Sequence, residues 1–368
     1  MGFRPYIATA EISAIMSLNI KLKSGAASMK FVVYGAEKRV GLLQKDQVCD
    51  VAGMTAKYLL EKQNELQPLA MAAALTPPDL DAFIEGGDRA LDYTRKALEY
   101  FFEMAGSQTG VAGEKITFDA DKMRLHAPKP SRGRVAFCGG NFPAHAAAMA
   151  VNRGRDETPV EDPRAMVRNR GFWGSWKIER EAAGPDGIIK YPNGVTRFDY
   201  EGELAIVLGK KIKNVKQSDA AKAIWGITLF TDWSARDFPP NSMNLNFARG
   251  KNFDNCYSLG PCIVVDELDA FNTPVETYVN GERRQSFNTS EMAFNFSEFL
   301  EYLSFGLTMY PGDILASGTG PGTAMDSSKK DADGKVLPDL FLQPGDIVEI
   351  KSPGIGTLRS KIAPKDPD

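Results

Sequence analysis

The spacing of hydrophobic and polar positions changes several times along the chain, and each change marks an element. Met29-Lys-Phe-Val-Val-Tyr34 is strand-like and meets a glycine, and Arg39-Val-Gly-Leu-Leu43 follows as a second strand. Residues 29 to about 51 therefore predict a small sheet with a hairpin. Between Asp79 and Gly106, Leu80, Phe83, Leu91, Tyr93, Ala97, Tyr100 and Phe101 mark one helix, with Gly106 near its end. Ala127-Pro-Lys-Pro-Ser-Arg-Gly133 reads as a linker, because prolines remove backbone donors and hold the chain extended. Beyond it a strand from Arg134 runs into a glycine-containing turn, and His145 opens a short Ala-rich helix, Ala146 to Val151. Apolar strands are then expected at Asp199–Gly209, at Ile227–Asp232 and at Gly260–Val265. Thr277–Arg283 predicts a hairpin turning at Asn280-Gly281, Ser297–Leu307 a helix, and Asp313–Gly320 a strand ending in a glycine-rich turn. Ser327–Lys335 is a charged insertion, and short strands close the chain after Pro344 and Gly356. No internal repeat is present.

A length of 368 residues predicts two domains. The content of 43% hydrophobic and 25% charged residues is that of a soluble globular protein. A net charge of -3 argues against a nucleic-acid partner but leaves room for a local basic pocket around a small anion. No apolar run approaches membrane-spanning length, so no membrane partner is expected. Glu11, Asn19 and Lys21 interrupt the amino terminus, which is not read as a signal peptide, and residues 1–28 are expected to form a poorly ordered extension. Cys49, Cys138, Cys256 and Cys262 lack zinc or redox spacing and fit reduced thiols of a cytoplasmic protein. Two histidines, His126 and His145, leave little room for an imidazole-rich zinc site.

The chemistry is concentrated in Asp199-Tyr-Glu-Gly-Glu-Leu-Ala-Ile-Val-Leu-Gly209. Alternation along a strand puts Glu201 and Glu203 on one side, with Ala205 and Val207 behind them. Gly202, Leu204, Ile206 and Leu208 take the opposite side. Two stacked carboxylates at the head of an apolar strand repel each other and resist desolvation, unless the strand end is simply solvated. A hard divalent cation is the alternative, and Asp232 at the end of the next apolar strand would be its third oxygen ligand. Asn152 to Arg180 is rich in arginine (Arg153, Arg155, Arg164, Arg168, Arg170, Arg180) and carries Phe172, Trp173 and Trp176. It reads either as a solvated surface loop or as a lid over an anionic substrate.

Several of these segments together resemble the fumarylacetoacetate hydrolase family. Asp199-Tyr-Glu-Gly-Glu-Leu-Ala205, Thr231-Asp-Trp-Ser-Ala-Arg-Asp237 and Gly250-Lys-Asn-Phe-Asp254 carry the likeness. Ser258-Leu-Gly-Pro261, Val279-Asn-Gly-Glu282, Gly312-Asp-Ile-Leu-Ala-Ser-Gly-Thr319 and Leu342-Gln-Pro-Gly-Asp346 continue it in the family's order, over roughly residues 130 to 362. The resemblance implies an α+β, mainly β fold: a mixed β-sandwich roll for residues 127–368 behind a small α+β domain at 29–126. It also implies a homodimer and a small anionic oxo-acid substrate.

The family's site carries over residue by residue. Glu201, Glu203 and Asp232 would hold the metal, magnesium first with manganese or calcium as alternatives. Gly139-Gly-Asn-Phe-Pro-Ala-His145 is similar to the turn that delivers the family's catalytic histidine, so His145 would activate water, with Lys251 and Arg236 offsetting negative charge. Thr319 and Gly318 in the glycine-rich turn, and Lys177 on the strand entering the site, would bind substrate. The implied activity is metal-dependent hydrolytic cleavage of a carbon–carbon bond in a β-diketo or 2,4-dioxo acid, in aromatic-compound or sugar-acid catabolism. The alternatives are an oxo-acid decarboxylase, hydratase or isomerase, or a catalytically silent metal-binding relative. Two departures stand out. Ala148 occupies the place of a glutamate that often partners the histidine, leaving Glu157, Glu161, Glu179 and Glu181 as candidates, and Pro239 replaces a glutamine donor.

Overall fold

The computed structural model describes residues 29–104, 109–152, 161–237, 248–334 and 336–367. The expectations for residues 1–28, and those for Glu157, Arg153, Arg155 and Pro239, lie outside them. In chain order the strands are β1 (Met29–Tyr34), β2 (Arg39–Gln44), β3 (Gln47–Asp50), β4 (Thr117–Asp119), β5 (Leu125–His126), β6 (Val135–Cys138), β7 (Gly174–Lys177), β8 (Gly187–Lys190) and β9 (Phe198–Asp199). They continue as β10 (Gly202–Leu208), β11 (Ile224–Asp232), β12 (Ser234–Ala235), β13 (Tyr257–Val265), β14 (Pro274–Val279), β15 (Glu282–Asn288), β16 (Ile314–Ala316), β17 (Ile347–Ser352) and β18 (Gly356–Ala363).

The large sheet runs β4-β3-β2-β1-β13-β11-β10-β16-β6-β7, with β5 on β1. A second sheet runs β15-β14-β17-β18-β8, and β9 and β12 form a separate pair. This is the expected class, α+β and mainly β beyond residue 127. The expected boundary at 126/127 falls between β5 and β6, and strands from both sides of it share the large sheet, because β1 pairs with β13.

β10 shows how the layers arise. Every residue of it is buried. Leu204, Ile206 and Leu208 enter the core shared with Val275, Val348, Ile350 and Leu358 of the second sheet. Ala205 and Val207 enter the core on the other face, with Phe31, Phe83 and Leu91. A strand covered on both faces needs apolar residues at both parities, which is why the run reads as continuously hydrophobic.

The helix expected over 79–106 is two helices, Leu80–Glu85 and Gly87–Glu103. The break is at the glycine pair, where Gly87 takes φ +55°, a conformation that ends a helical run. Phe83 and Trp225 meet across the helix–sheet contact with ring centroids 6.2 Å apart, and Phe31 lies against both. Helices Val51–Gln63 and Pro68–Leu75 have no counterpart in the sequence reading. The hairpin does turn at Asn280-Gly281, both with positive φ, as a tight two-residue turn requires. No helix among the described residues is long and apolar enough to cross a membrane.

Asp81 ties the linker to the first of the two helices. Its carboxylate accepts from Ser131 N (2.7 Å), Ser131 Oγ (2.8 Å) and Arg132 N (3.0 Å). Burial pushes its pKa up, but these hydrogen bonds and the Arg132 charge outweigh burial and leave it below the ordinary value. Asp81→Ala should cost about 1–3 kcal/mol and lower the thermal midpoint at neutral pH. A group whose folded pKa is depressed stabilises above its unfolded pKa and loses that contribution as pH falls through the folded one. The gap between variant and wild type in calorimetric melts should therefore close in acid; a gap independent of pH would rule this account out.

Candidate metal centre and active site

Strand register brings the acids together. β10 and β11 are antiparallel with Gly202 opposite Thr231, and Asp232 N donates to Glu201 O at 2.9 Å. The head of one strand thus lies beside the tail of the other. Glu201, Glu203 and Asp232 are all buried, and each offers a carboxylate oxygen within 4.8 Å of the other two. A glycine between the glutamates is needed here, because a Cβ on Gly202 would lie 2.1 Å from Thr277 Oγ1 of the second sheet.

The surrounding cations are close. Lys251 Nζ donates to Glu201 Oε2 (2.6 Å), Asp232 Oδ2 (2.9 Å) and Ser234 Oγ (2.6 Å). Arg236 Nη2 reaches Glu201 Oε1 at 2.7 Å, and its Nε reaches Asp199 Oδ2 at 2.8 Å. Burial would raise the Glu201 pKa, but Lys251 and Arg236 overcome it and hold the group below the usual carboxylate range. Glu203 goes the other way. Burial, then Asp232 and Glu201, push its pKa well up. Its Oε2 accepts from Gly318 N (3.0 Å), while its buried Oε1 has no hydrogen-bond partner among the described residues.

These residues fit an oxygen-seeking dication. Among the described residues, the buried carboxylates Asp199, Glu201 and Asp232 each pair with a cation, whereas Glu203 pairs with none. A doubly charged ion there would offset the crowded negative charge and give the Glu203 oxygen a partner. The three oxygen donors could hold such an ion.

His145 sits in the first turn of the helix Pro143–Asn152, after a turn pinned by Asn141. Asn141 Nδ2 donates to Phe294 O and Ser317 O, and its Oδ1 accepts from Phe294 N. Among the described residues, the histidine's partner is not Glu161, Glu179 or Glu181. It is Asp326, whose Oδ2 lies 2.8 Å from His145 Nδ1 and also accepts from Gly322 N and Thr323 N. Asp326 belongs to the short helix Ala324–Ser327, where Thr323 and Asp326 form a capping box. Asp199, fully buried, accepts from Ala324 N and Met325 N of that same turn and from Arg236. The sequence reading missed both aspartates as site residues.

Other expected substrate contacts are redirected. Lys177 Nζ spends its three donors on Asp232 Oδ1 (2.6 Å), Lys251 O (2.6 Å) and Cys256 O (3.3 Å), so it stands behind an acid of the triad with no donor left over. The Gly318 amide is taken by Glu203. Thr319 lines the cavity, but its hydroxyl donates to Gly202 O and accepts from Gln285 Nε2, leaving a lone pair for a ligand. Glu201, Arg236, Lys251, His145 and Thr319 share one cavity of about 460 Å³. The arginine-rich stretch forms part of its wall through the helix Pro163–Arg170 and Trp173. Trp173 packs so closely on Gly139 that a Cβ there would fall 1.5 Å from the indole.

The family model described as fumarylacetoacetate (FAA) hydrolase C-terminal matches residues 134–363. The chain is 31% identical over 292 residues to the oxaloacetate tautomerase YisK of Bacillus subtilis, covering 78% of this chain and 87% of that protein. It is 32% identical over 289 residues to the mitochondrial oxaloacetate tautomerase fahd2 of Xenopus laevis, covering 78% and 79%. Among solved structures, the fumarylacetoacetate hydrolase from Exiguobacterium antarcticum superposes with a TM-score of 0.64 at 24% identity, over 92% of this chain and all of that one. That likeness is one of fold.

If the orphaned carboxylate oxygen is a metal ligand, Glu203→Gln should weaken magnesium or manganese binding by more than the roughly 10–100-fold typical of losing a group behind a ligand. Calorimetric titration should register the loss, and added metal should raise the melting temperature of wild type but not of the variant. Equal metal affinity in both proteins would remove Glu203 from the coordination sphere.

Proposed function

The chain belongs to the fumarylacetoacetate hydrolase family, and on that premise we propose that it is a metal-dependent enzyme interconverting the keto and enol forms of a 2-oxo acid. The observation that carries this reading is the His145–Asp326 pair in the cavity that also holds the acid triad. An aspartate accepting from Nδ1–H fixes the tautomer and leaves the Nε2 lone pair available as a base. Tautomerisation needs that base, a means of stabilising charge on the carbonyl oxygen, and no water.

Magnesium is the ion proposed for Glu201, Glu203 and Asp232, where it would supply Lewis-acid polarisation of neighbouring substrate oxygens. His145 Nε2 takes the proton from the carbon next to the carbonyl. Lys251 and Arg236, anchored on the same carboxylates, offset the negative charge that moves onto oxygen. The protonated imidazole, stabilised by Asp326, then delivers its proton to that oxygen or back to carbon. A small anionic oxo acid as substrate and assembly as a homodimer belong to the same proposal.

Hydrolytic carbon–carbon cleavage, the activity expected from sequence, is the second reading. It is favoured by the same oriented imidazole, which can equally take a proton from water. The curated relatives that align over most of the chain, named as tautomerases, support the first reading over it.

The ultraviolet absorbance of enol oxaloacetate should decay faster with the magnesium-loaded protein than without it. His145→Ala and Asp326→Ala should each lower kcat by about 10²–10⁴-fold, the range of general-base contributions, while metal affinity is retained. Release of acetate and pyruvate from acetylpyruvate, without faster ketonisation of oxaloacetate, would favour the hydrolytic reading. Full activity in both variants would end the role given to the pair.

A further inference from the structure

β16 runs out before it reaches the acid-bearing head of β10. Its last residue, Ala316, pairs with Ala205, while Glu201, Gly202 and Glu203 lie further along that edge. Side chains take the place of the missing strand. Ser317 N donates to Leu204 O (2.8 Å), and Ser317 Oγ accepts from Leu204 N (3.2 Å). At Gly202, between the two glutamates, the substitute is Gln285 of β15 in the second sheet. Gly202 N donates to Gln285 Oε1 (3.0 Å), Gln285 Nε2 donates to Thr319 Oγ1 (2.7 Å), and Thr319 Oγ1 donates to Gly202 O (2.8 Å). The three bonds close a ring.

Every direction in that ring is fixed. A peptide N–H only donates, so the carboxamide oxygen must face Gly202. Its nitrogen then faces Thr319 and the carbonyl of Gly320 (2.9 Å), which only accepts. Gln285 shares a face of β15 with the buried Phe287, and Ser286 between them is exposed. A place facing the core thus holds an amide that is only 1% exposed, and an amide is tolerated there when its hydrogen bonds are made. The glycine-rich turn after β16 lies directly on β15. A Cβ on Gly320 would fall 2.3 Å from the Phe287 ring, and one on Gly322 would fall 2.1 Å from Arg284 O. That close approach brings Thr319 within reach of Gln285.

We propose that Gln285 is a positioning residue for the acid triad: through Gly202 and Thr319 it fixes the main chain between Glu201 and Glu203, and with it the spacing at which their carboxylates meet a cation. The assignment rests on the reading of the triad as a metal site. The peptide planes on either side of Gly202 lead to the Cα atoms of both glutamates, so a tilt there moves both carboxylates. Glycine, with no Cβ, does little to hold those planes itself. The ring holds them from the second sheet, and groups behind metal ligands commonly set affinity in this way.

The test measures manganese binding by calorimetry and the melting temperature of the full chain, for wild type and a set of variants. Gln285→Met keeps the bulk of the side chain and removes its hydrogen bonds; it should weaken manganese binding by about 10–100-fold. Thr319→Val breaks the same ring and should cost a similar factor, whereas Thr319→Ser, which keeps the hydroxyl, should retain wild-type metal affinity. The double variant Gln285→Met/Thr319→Val should lose little more than either single one, because a ring is broken only once. Thr273→Val is the control. Thr273 is buried beside β14 in the same sheet, with its hydroxyl on Asp269 O, so this variant should lower the melting temperature and leave manganese affinity alone. A lower melting temperature with unchanged manganese affinity in Gln285→Met would overturn the proposal, as would losses that multiply in the double variant. Should Gln285→Met not fold, the comparison of Thr319→Val with Thr319→Ser decides, and equal affinity in those two overturns it. The expected losses without ketonisation of oxaloacetate by wild type would sustain the role of Gln285 and refute the reaction proposed above. Ketonisation by wild type with equal manganese affinity in Gln285→Met would do the reverse, and a wild type that binds no metal would overturn both.

Discussion

A dense set of buried charges at the junction of β10 and β11 governs the rest of the site. Glu201, Glu203 and Asp232 are forced together by strand register, and the protein answers with Lys251, Arg236 and Lys177, each within hydrogen-bond distance of an acid. Each cation is in turn fixed by something else: Arg236 by Asp199, Lys177 by two carbonyls, Lys251 by Ser234. Buried charges tolerate this only when every partner is held in good geometry, because a lost partner leaves an uncompensated charge in a poorly solvated place. Orientation of the site is therefore a by-product of making the charges bearable. The buried Glu203 Oε1, which no described residue hydrogen-bonds, marks where the internal balance is incomplete.

Asp199 shows how far this balance reaches. It accepts from the backbone of the turn that carries Asp326 and from the arginine that touches Glu201. The base and the acid triad, drawn from distant parts of the chain, are thereby linked through one carboxylate. Asn141 does similar work with amide chemistry, joining the turn before His145 to the end of β16 through Ser317 O.

What could be read from the chain follows the range of the forces involved. The acids were legible because alternation on a strand is local, and a pair of carboxylates heading an apolar run is conspicuous. The faces of β10 divided as the alternation predicts. The partner of His145 was not legible, since 181 residues separate it from Asp326 and only tertiary packing joins them. The local sign that was available, Thr323 three residues before an acid after a glycine, indicates a helix start and says nothing of a histidine. The contact of Lys177 with Asp232 was not legible either, because sequence does not tell the front of a carboxylate from its back. The helix Pro68–Leu75 escaped because its apolar residues run on with no 3.6-residue rhythm, and the single helix expected from Asp79 ignored the glycine pair that splits it.

The pairing of β1 with β13 has a consequence for how the chain is made. Met29 and Phe31 find their partners at Val265 and Ile263, so one edge of the first hairpin waits while more than half the polypeptide leaves the ribosome. An open strand edge with apolar faces is a template for wrong partners. Such distant pairings also slow folding, because chain entropy is lost before the contacts that reward it form. β1 is thus made long before the strand that covers this edge, and the edge stays open until β13 arrives.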